Sequence, residues 1–284
     1  MTISPFFCIG TKIIANYKQE NHLNTSILDA KEKRIEVIEL APEQDAFGQN
    51  IWETYTQKGG GYDIIEREDG CFTLSTDSAS FKEGPEAWTK IQQDAAALIK
   101  GKGLVVGCGG GKHALELQNR GCEVIGMENS RLAIDVCHQR GLKQSLLCDV
   151  ANISLSGLSK LDFILLWENN TGLLQNATLA NRFLKWAHKA THPKASIFLE
   201  TLDPHGKAFD FEDDRAYLNE NIRLGRLPGQ IRVRSRYRKY CTPWAEYLFL
   251  SKKELKAILK GTGWKIKKTW DDPSVDQYIA QLVK

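Results

Sequence analysis

Residues 104–113 read LVVGCGGGKH, an apolar triplet running into a loop with glycine at 107, 109, 110 and 111. Leu104, Val105 and Val106 have the composition of a buried strand, and the segment after the glycines reads as a helix over 112–119. A tight glycine turn between such elements exposes backbone amides beside the positive end of a helix, where an anionic or nucleotide-like group is held. The spacing narrows the ligand. The dinucleotide fingerprint G-x-G-x-x-G requires Gly or Ala at 112 so that helix and strand approach closely, and this chain has Lys112. A P-loop fails too: Val106 stands five residues before Gly111, and His113 replaces the Ser or Thr that would reach magnesium. ATP and GTP are therefore poor candidates, and the loop is of G-x-G-x-G type.

Downstream, β-rich runs alternate with amphipathic helices, the pattern of an α/β, doubly wound, Rossmann-like and mostly parallel sheet. CEVIGM (122–127) reads as the second strand and RLAIDVCHQR (131–140) as its helix. KQSLLCD (143–149) supplies the third strand and DFILLW (162–167) the fourth. ANRFLKWAHKA (180–190) follows as a helix and ASIFLET (195–201) as the fifth strand. Ser251 and Glu254 form a capping box ahead of a last helix. WKIKKTW (264–270) and YIAQLVK (278–284) then read as an antiparallel pair at the sheet edge.

With these elements in order, the chain resembles the class I S-adenosylmethionine-dependent methyltransferases, whose first motif is a strand running into G-x-G-x-G. The resemblance covers residues 103–204 and resumes in the last helix and strand pair. It implies S-adenosylmethionine as cofactor, held by Gly107, Cys108, Gly109 and Gly111. Glu128, about 20 residues on with Asn129 beside it, is placed to accept bonds from both ribose hydroxyls. Asp149 with Val150 ends the third strand, where the family faces the adenine amino group. Glu168 lies in WENNTGLL (167–174), similar to the family's fourth motif, which passes the methionine part and the substrate. One position departs: the family usually has an acid two residues before the first glycine, and here it is Val105. A contact near the aminoacyl end is then missing, which leaves a non-catalytic binding subunit as an alternative reading.

Two segments lie outside the alternation and could cover the mouth of the core. Upstream, AFGQNIWETYTQ (46–57) reads as a helix, and YDIIERED (62–69) and CFTLSTD (71–77) as a hairpin with a two-residue turn at Asp69-Gly70. After strand five comes an insertion, residues 205–250, with strands at IRVRSRYRKY (231–240) and WAEYLFL (244–250). The expected division is a cap over 1–83, a methyltransferase core over 84–204, a substrate-covering insertion over 205–250 and a return to the core over 251–284. Substrate contacts are expected from Tyr62, Asn169, Asn170, His205 and Tyr237; no residue is singled out as a catalytic base, and no metal is required. Arg232, Arg234, Arg236 and Arg238 alternate along one strand, so four guanidiniums share a face. Either the stripe grips a carboxylate, a phosphate or an RNA backbone, as in an RNA or protein methyltransferase, or it is a solvated face paired with acids, with FEDD (211–214) nearby.

Composition bounds the rest. At 284 residues, 42% apolar and 26% charged, the chain can bury one α/β core with decorations, and neither disorder nor a coiled coil fits. A net charge of +3 does not by itself imply nucleic acid. No apolar run reaches the roughly 18 residues that span a bilayer, and the opening lacks a basic lead-in. The expectation is a soluble cytoplasmic enzyme acting on a small molecule, with no membrane partner. The seven cysteines form no CxxC pair and are odd in number, which predicts reduced core thiols in place of a disulfide framework.

Overall fold

The apolar run ahead of the glycine loop becomes an interior strand of a sheet buried on both faces. In the computed structural model, which describes residues 40–284, the chain begins with α1 (Ala46–Tyr55), the hairpin β1 (Asp63–Arg67) and β2 (Phe72–Ser75), and α2 (Lys90–Ala96). There follow β3 (Lys102–Val106), α3 (Lys112–Asn119), β4 (Glu123–Glu128), α4 (Arg131–Gln139), β5 (Gln144–Leu147), β6 (Leu161–Leu166), α5 (Ala177–Ala190) and β7 (Thr191–Leu202). Then come α6 (Glu212–Arg223), β8 (Gln230–Tyr237), β9 (Tyr240–Cys241), β10 (Ala245–Leu248), α7 (Lys252–Ile258), β11 (Lys265–Asp272) and β12 (Gln277–Val283). Cys8 and the first 39 residues of the expected cap lie outside the described residues.

The larger sheet has the order β11-β12-β7-β6-β3-β4-β5. β3 through β7 run parallel, and β12 is antiparallel both to β7 and to the edge strand β11. The pleat sends Leu104 and Val106 into one core with Ile164, Leu166, Phe183 and Leu184. Val105 goes into the other with Trp88, Phe163, Leu165 and Trp167. Burial on both faces is why these strands read as unbroken apolar runs. The Ser251/Glu254 capping box forms as expected at the start of α7. Among the described residues no helix is long and apolar enough to cross a membrane.

The two segments outside the alternation meet. The hairpin and the insertion build one antiparallel sheet, β10-β8-β1-β2, with β9 paired to β8. β1 and β8 pair in register although some 170 residues separate them: Ile64 faces Arg236, and Glu66 faces Arg234. Three local expectations are corrected. The hairpin turn is not a two-residue one: Gly70 N–H donates to the Arg67 carbonyl, Arg67 N–H donates to the Cys71 carbonyl, and Gly70 takes φ 91. That is a type I turn closed by a left-handed glycine, which Asp-Gly serves equally well. The insertion also contains α6, whose sequence EDDRAYLNENIR buries only Asp214, Leu218 and Asn221 and so has too weak an apolar stripe to read as a helix. Finally, Cys71 is disulfide-bonded, whereas Cys108, Cys122, Cys137, Cys148 and Cys241 carry free thiols.

Strand pairing also decides the arginine stripe. Arg234 and Arg236 both donate to Glu66, Arg232 pairs with Glu68 and Arg238 with Glu53. Arg234 stacks on Trp244 with its guanidinium carbon 4.4 Å from the ring centre. The paired acids come from helix α1, from β1 and from the turn after β1, not from FEDD, whose Asp214 instead pairs with Arg67. An Arg234→Ala, Arg236→Ala protein is accordingly expected to lose no more than about 1 kcal/mol per pair in urea denaturation, since partly exposed pairs contribute that little. Filter binding of RNA at two salt concentrations should show no difference between this variant and the wild type.

Candidate active site

The strand order reverses between β3 and β6: the chain winds outward to β4 and β5 on one side and to β6 and β7 on the other. Ligands of open α/β sheets bind in the crevice this reversal leaves at the carboxyl ends of the strands. The glycine loop forms one wall of it and the segment after β6 the other. Gly107, Gly109 and Gly111 take φ 66, 51 and 92, which an L side chain rarely adopts. The loop is tightly held: Cys108 N–H donates to Met127 O and Gly111 N–H to Cys108 O. Asn170 Nδ2 reaches across from the opposite wall to Val106 O at 3.0 Å and Gly107 O at 2.8 Å. On the outer side Cys137 Sγ donates to Gly109 O, 3.1 Å away.

Glu128 ends β4 and is buried. Its Oε2 accepts the Gly109 N–H at 3.1 Å, and its Oε1 accepts those of Asn129 and Ser130 at 2.8 and 3.2 Å. Burial raises its carboxyl and these three donors oppose the rise. Asn129 Nδ2 bridges to Asp149 Oδ2 at 3.4 Å, and Asp149 caps the short 3-10 turn that begins at buried Val150. Glu128, Asn129 and Asp149 thus form a polar belt along the ends of β4 and β5. Helix α1 covers it from outside: Asp45 accepts the Ser130 hydroxyl at 2.7 Å, and Phe47 and Ile51 lie over Gly109. Phe47 and Ile51 belong to a helix that reads only as cap, so their place over the loop had no sequence signal.

The opposite wall carries charges. Glu168, at φ 54, places its carboxylate 2.7 Å from Lys112 Nζ, which also reaches Glu83 at 3.1 Å. Burial alone would lower the Lys112 ammonium, but Glu168 and Glu83 outweigh it and raise it. His113 is clamped between Trp88 and Trp167, ring centres 5.1 and 5.2 Å away. Burial, with Lys112 adding to it, pushes His113 down to about 3, so it is neutral at ordinary pH. Its Nε2 has no hydrogen-bond partner and lies 3.8 Å from Glu168. Asp77 keeps access to solvent, yet crowding by protein, and then the charge of Glu168, raises its carboxyl. Tyr247 from β10 donates to the Asn169 carbonyl at 2.6 Å, so the insertion sheet is tied to the loop after β6.

Of the expected substrate contacts, the structure brings Asn169 to this crevice and commits Asn170 to the glycine loop. Tyr237 is buried, donating to Glu53 at 2.6 Å and accepting the Gly60 N–H at 2.9 Å. Tyr62 is exposed, and exposed His205 lies 3.3 Å from Glu254 on α7. Lys112, Asp77 and Tyr247 were missed; only Lys112, the residue that spoils the dinucleotide fingerprint, carried a signal.

Residues 104–199 match the family described as methyltransferase domain. Over that stretch the chain is similar to the methyltransferase domain family. Solved structures share its fold. A S-adenosylmethionine-dependent methyltransferase from Bacteroides fragilis, crystallised with S-adenosyl-L-homocysteine, is 22% identical, covers 86% of this chain and 96% of its own, and superposes with a TM-score of 0.72. The CcbJ methyltransferase from Streptomyces caelestis is 15% identical over 71% of this chain and 99% of its own, with a TM-score of 0.53. A S-adenosylmethionine-dependent methyltransferase from Methanosarcina mazei gives 16%, 69%, 98% and 0.52. None of the curated proteins matches the sequence.

The departure at Val105 has a packing reason in this fold. Its side chain is 4% exposed and sits in the core with Trp88, Phe163 and Trp167. Val105→Asp is therefore expected to destabilise the fold by about 1–3 kcal/mol, the penalty for burying a polar group without a partner. No gain in cofactor affinity should accompany it; tighter binding in a calorimetric titration would show that an acid there still reaches the ligand.

Proposed function

We propose that this methyltransferase transfers a methyl group from S-adenosylmethionine to a small-molecule acceptor through a nitrogen or oxygen nucleophile. The observation that carries the reading is the crevice at the strand-order reversal, with a glycine loop on one wall and carboxylates ending β4, β5 and the segment after β6. The residues fit the cofactor. Glu128 and Asp149 each retain acceptor capacity on oxygens already held in place, Glu128 for the ribose hydroxyls and Asp149 for the adenine amino group. The backbone of Gly107, Cys108, Gly109 and Gly111 allows close approach, with Asn129 and Val150 completing the adenosine side. Glu168 and Asp77 place negative charge where a sulfonium and an ammonium would lie. When bound, the cofactor supplies an electrophilic methyl group, so the protein's part is alignment and exclusion of water. Asn170 and Glu128 hold the two sides of the glycine loop, and Phe47 and Ile51 shield it. Asp77, Glu168, Asn169 and Tyr247 line the approach to the methyl group; a carboxylate there can orient an amine or accept the proton it loses.

A small acceptor is favoured because the sheet formed by hairpin and insertion reaches the site through Tyr247, and because its arginines are already paired with Glu53, Glu66 and Glu68. Those pairs leave little free positive surface for RNA. Calorimetric titration with S-adenosylmethionine and S-adenosylhomocysteine tests the cofactor assignment. Micromolar binding of both is expected, and no heat from either at millimolar ligand would overturn it.

A further inference from the structure

At the carboxyl end of β7, Glu200 is completely buried, on the face of the sheet that carries Phe198 and Trp167. Two donors reach it. The Glu168 N–H donates to Oε2 at 2.6 Å, and the Gln92 side-chain amide donates to Oε2 at 3.0 Å and Oε1 at 3.3 Å. Gln92 is not free to turn its amide round: its own Oε1 accepts the Thr89 N–H in the capping box that starts α2. Both neighbours of Glu200 therefore demand an acceptor. Glu168 in turn sits in the left-handed region, which a residue with a Cβ occupies only when its surroundings hold it there. We propose that Glu200 is a positioning residue: by accepting the Glu168 N–H it holds the turn after β6, and so sets the Glu168 carboxylate opposite the charged end of the cofactor. The inference rests on the cofactor assignment above.

The position makes a pH-dependent prediction. The charges that face Glu200 are Glu168, which disfavours its ionisation, and Lys112, which favours it; Gln92 on α2 is a neutral donor, Tyr247 lies within electrostatic reach, and Ile279 of β12 beside it is apolar. Burial dominates and pushes the carboxyl up to about 7. A cation arriving beside Glu168 favours the ionised form, so binding releases a proton below pH 7 and tightens as pH rises through that value. With a carboxyl near 7 in the free protein, affinity for S-adenosylmethionine should rise about tenfold from pH 6 to pH 8.

The test compares S-adenosylmethionine with methylthioadenosine, which shares the adenosine but lacks the sulfonium and the amino-acid tail. Wild-type protein should show the tenfold rise for the first ligand and none for the second. Glu200→Gln should bind S-adenosylmethionine at the weak, pH 6 level throughout, with methylthioadenosine affinity unchanged. Should that variant fail to fold, Gln92→Met serves: losing a donor that favours the carboxylate, it should move the midpoint of the rise to higher pH. The proposal is overturned if Glu200→Gln keeps the wild-type slope, if Gln92→Met leaves the midpoint in place, or if methylthioadenosine shows the same slope. Failure of both ligands to bind wild-type protein overturns the cofactor assignment and this inference with it; binding of both without the slope overturns this inference alone.

Discussion

S-adenosylhomocysteine is expected to bind the Glu128→Ala protein about 1,000-fold more weakly than the wild type. Glu128 accepts the N–H groups of Gly109, Asn129 and Ser130, and in the proposed assignment it also accepts the ribose diol. Two hydrogen bonds from a diol to a charged acceptor contribute about 1.5–3 kcal/mol each, and a loss of about 4 kcal/mol is roughly 1,000-fold in affinity. Alanine also releases the three amides, so the glycine loop loses its inner anchor. Glu128→Gln keeps one acceptor oxygen and should lose less, about tenfold to a hundredfold by the same arithmetic. A Glu128→Ala protein that binds within tenfold of the wild type in calorimetry would remove this residue from the cofactor site.

The second large effect concerns the sheet that the hairpin and the insertion build together. Arg67 on β1 is 1% exposed, yet it pairs with Asp214 on α6 and with Asp69, and its guanidinium lies 4.6 Å from the ring centre of Tyr217. It adds a buried ion pair between hairpin and insertion to the β1–β8 ladder. Arg67→Ala leaves Asp214, itself 1% exposed, as a buried carboxylate without its cation. Breaking a buried pair from one side costs about 3–5 kcal/mol, whereas replacing both partners by apolar groups of similar size is often neutral. Urea denaturation should therefore show a loss of about 3–5 kcal/mol for Arg67→Ala, and most of it should return in Arg67→Met, Asp214→Leu. A single variant that loses less than about 1 kcal/mol would mean that the pair is solvated and does not fasten the hairpin to the insertion.

Much of the core was legible because its signals are local. The strand-loop-helix at 104–119, the acids at 128 and 149 and the Ser251 capping box each depend on residues within one or two turns of chain. The apolar runs were unambiguous because both faces of the sheet are buried. By contrast, α6 was missed since only three of its residues are buried. α2 was missed although its capping residues Thr89 and Gln92 stand three apart in the sequence, because seven residues are too few for periodicity to show.

Sequence alone thus determined the parallel core of this fold: a G-x-G-x-G turn after a buried strand, followed by acids at successive strand ends, is specified over short range. Only the tertiary structure decided the rest. That β1 pairs with β8, that Glu66 pairs with Arg234 and Arg236, that Lys112 meets Glu168 and that Gln92 meets Glu200 are all contacts between residues 56 to 172 positions apart. The reason is physical: propensity and periodicity act along the chain, whereas burial and charge pairing are set by whichever distant segment the fold brings alongside.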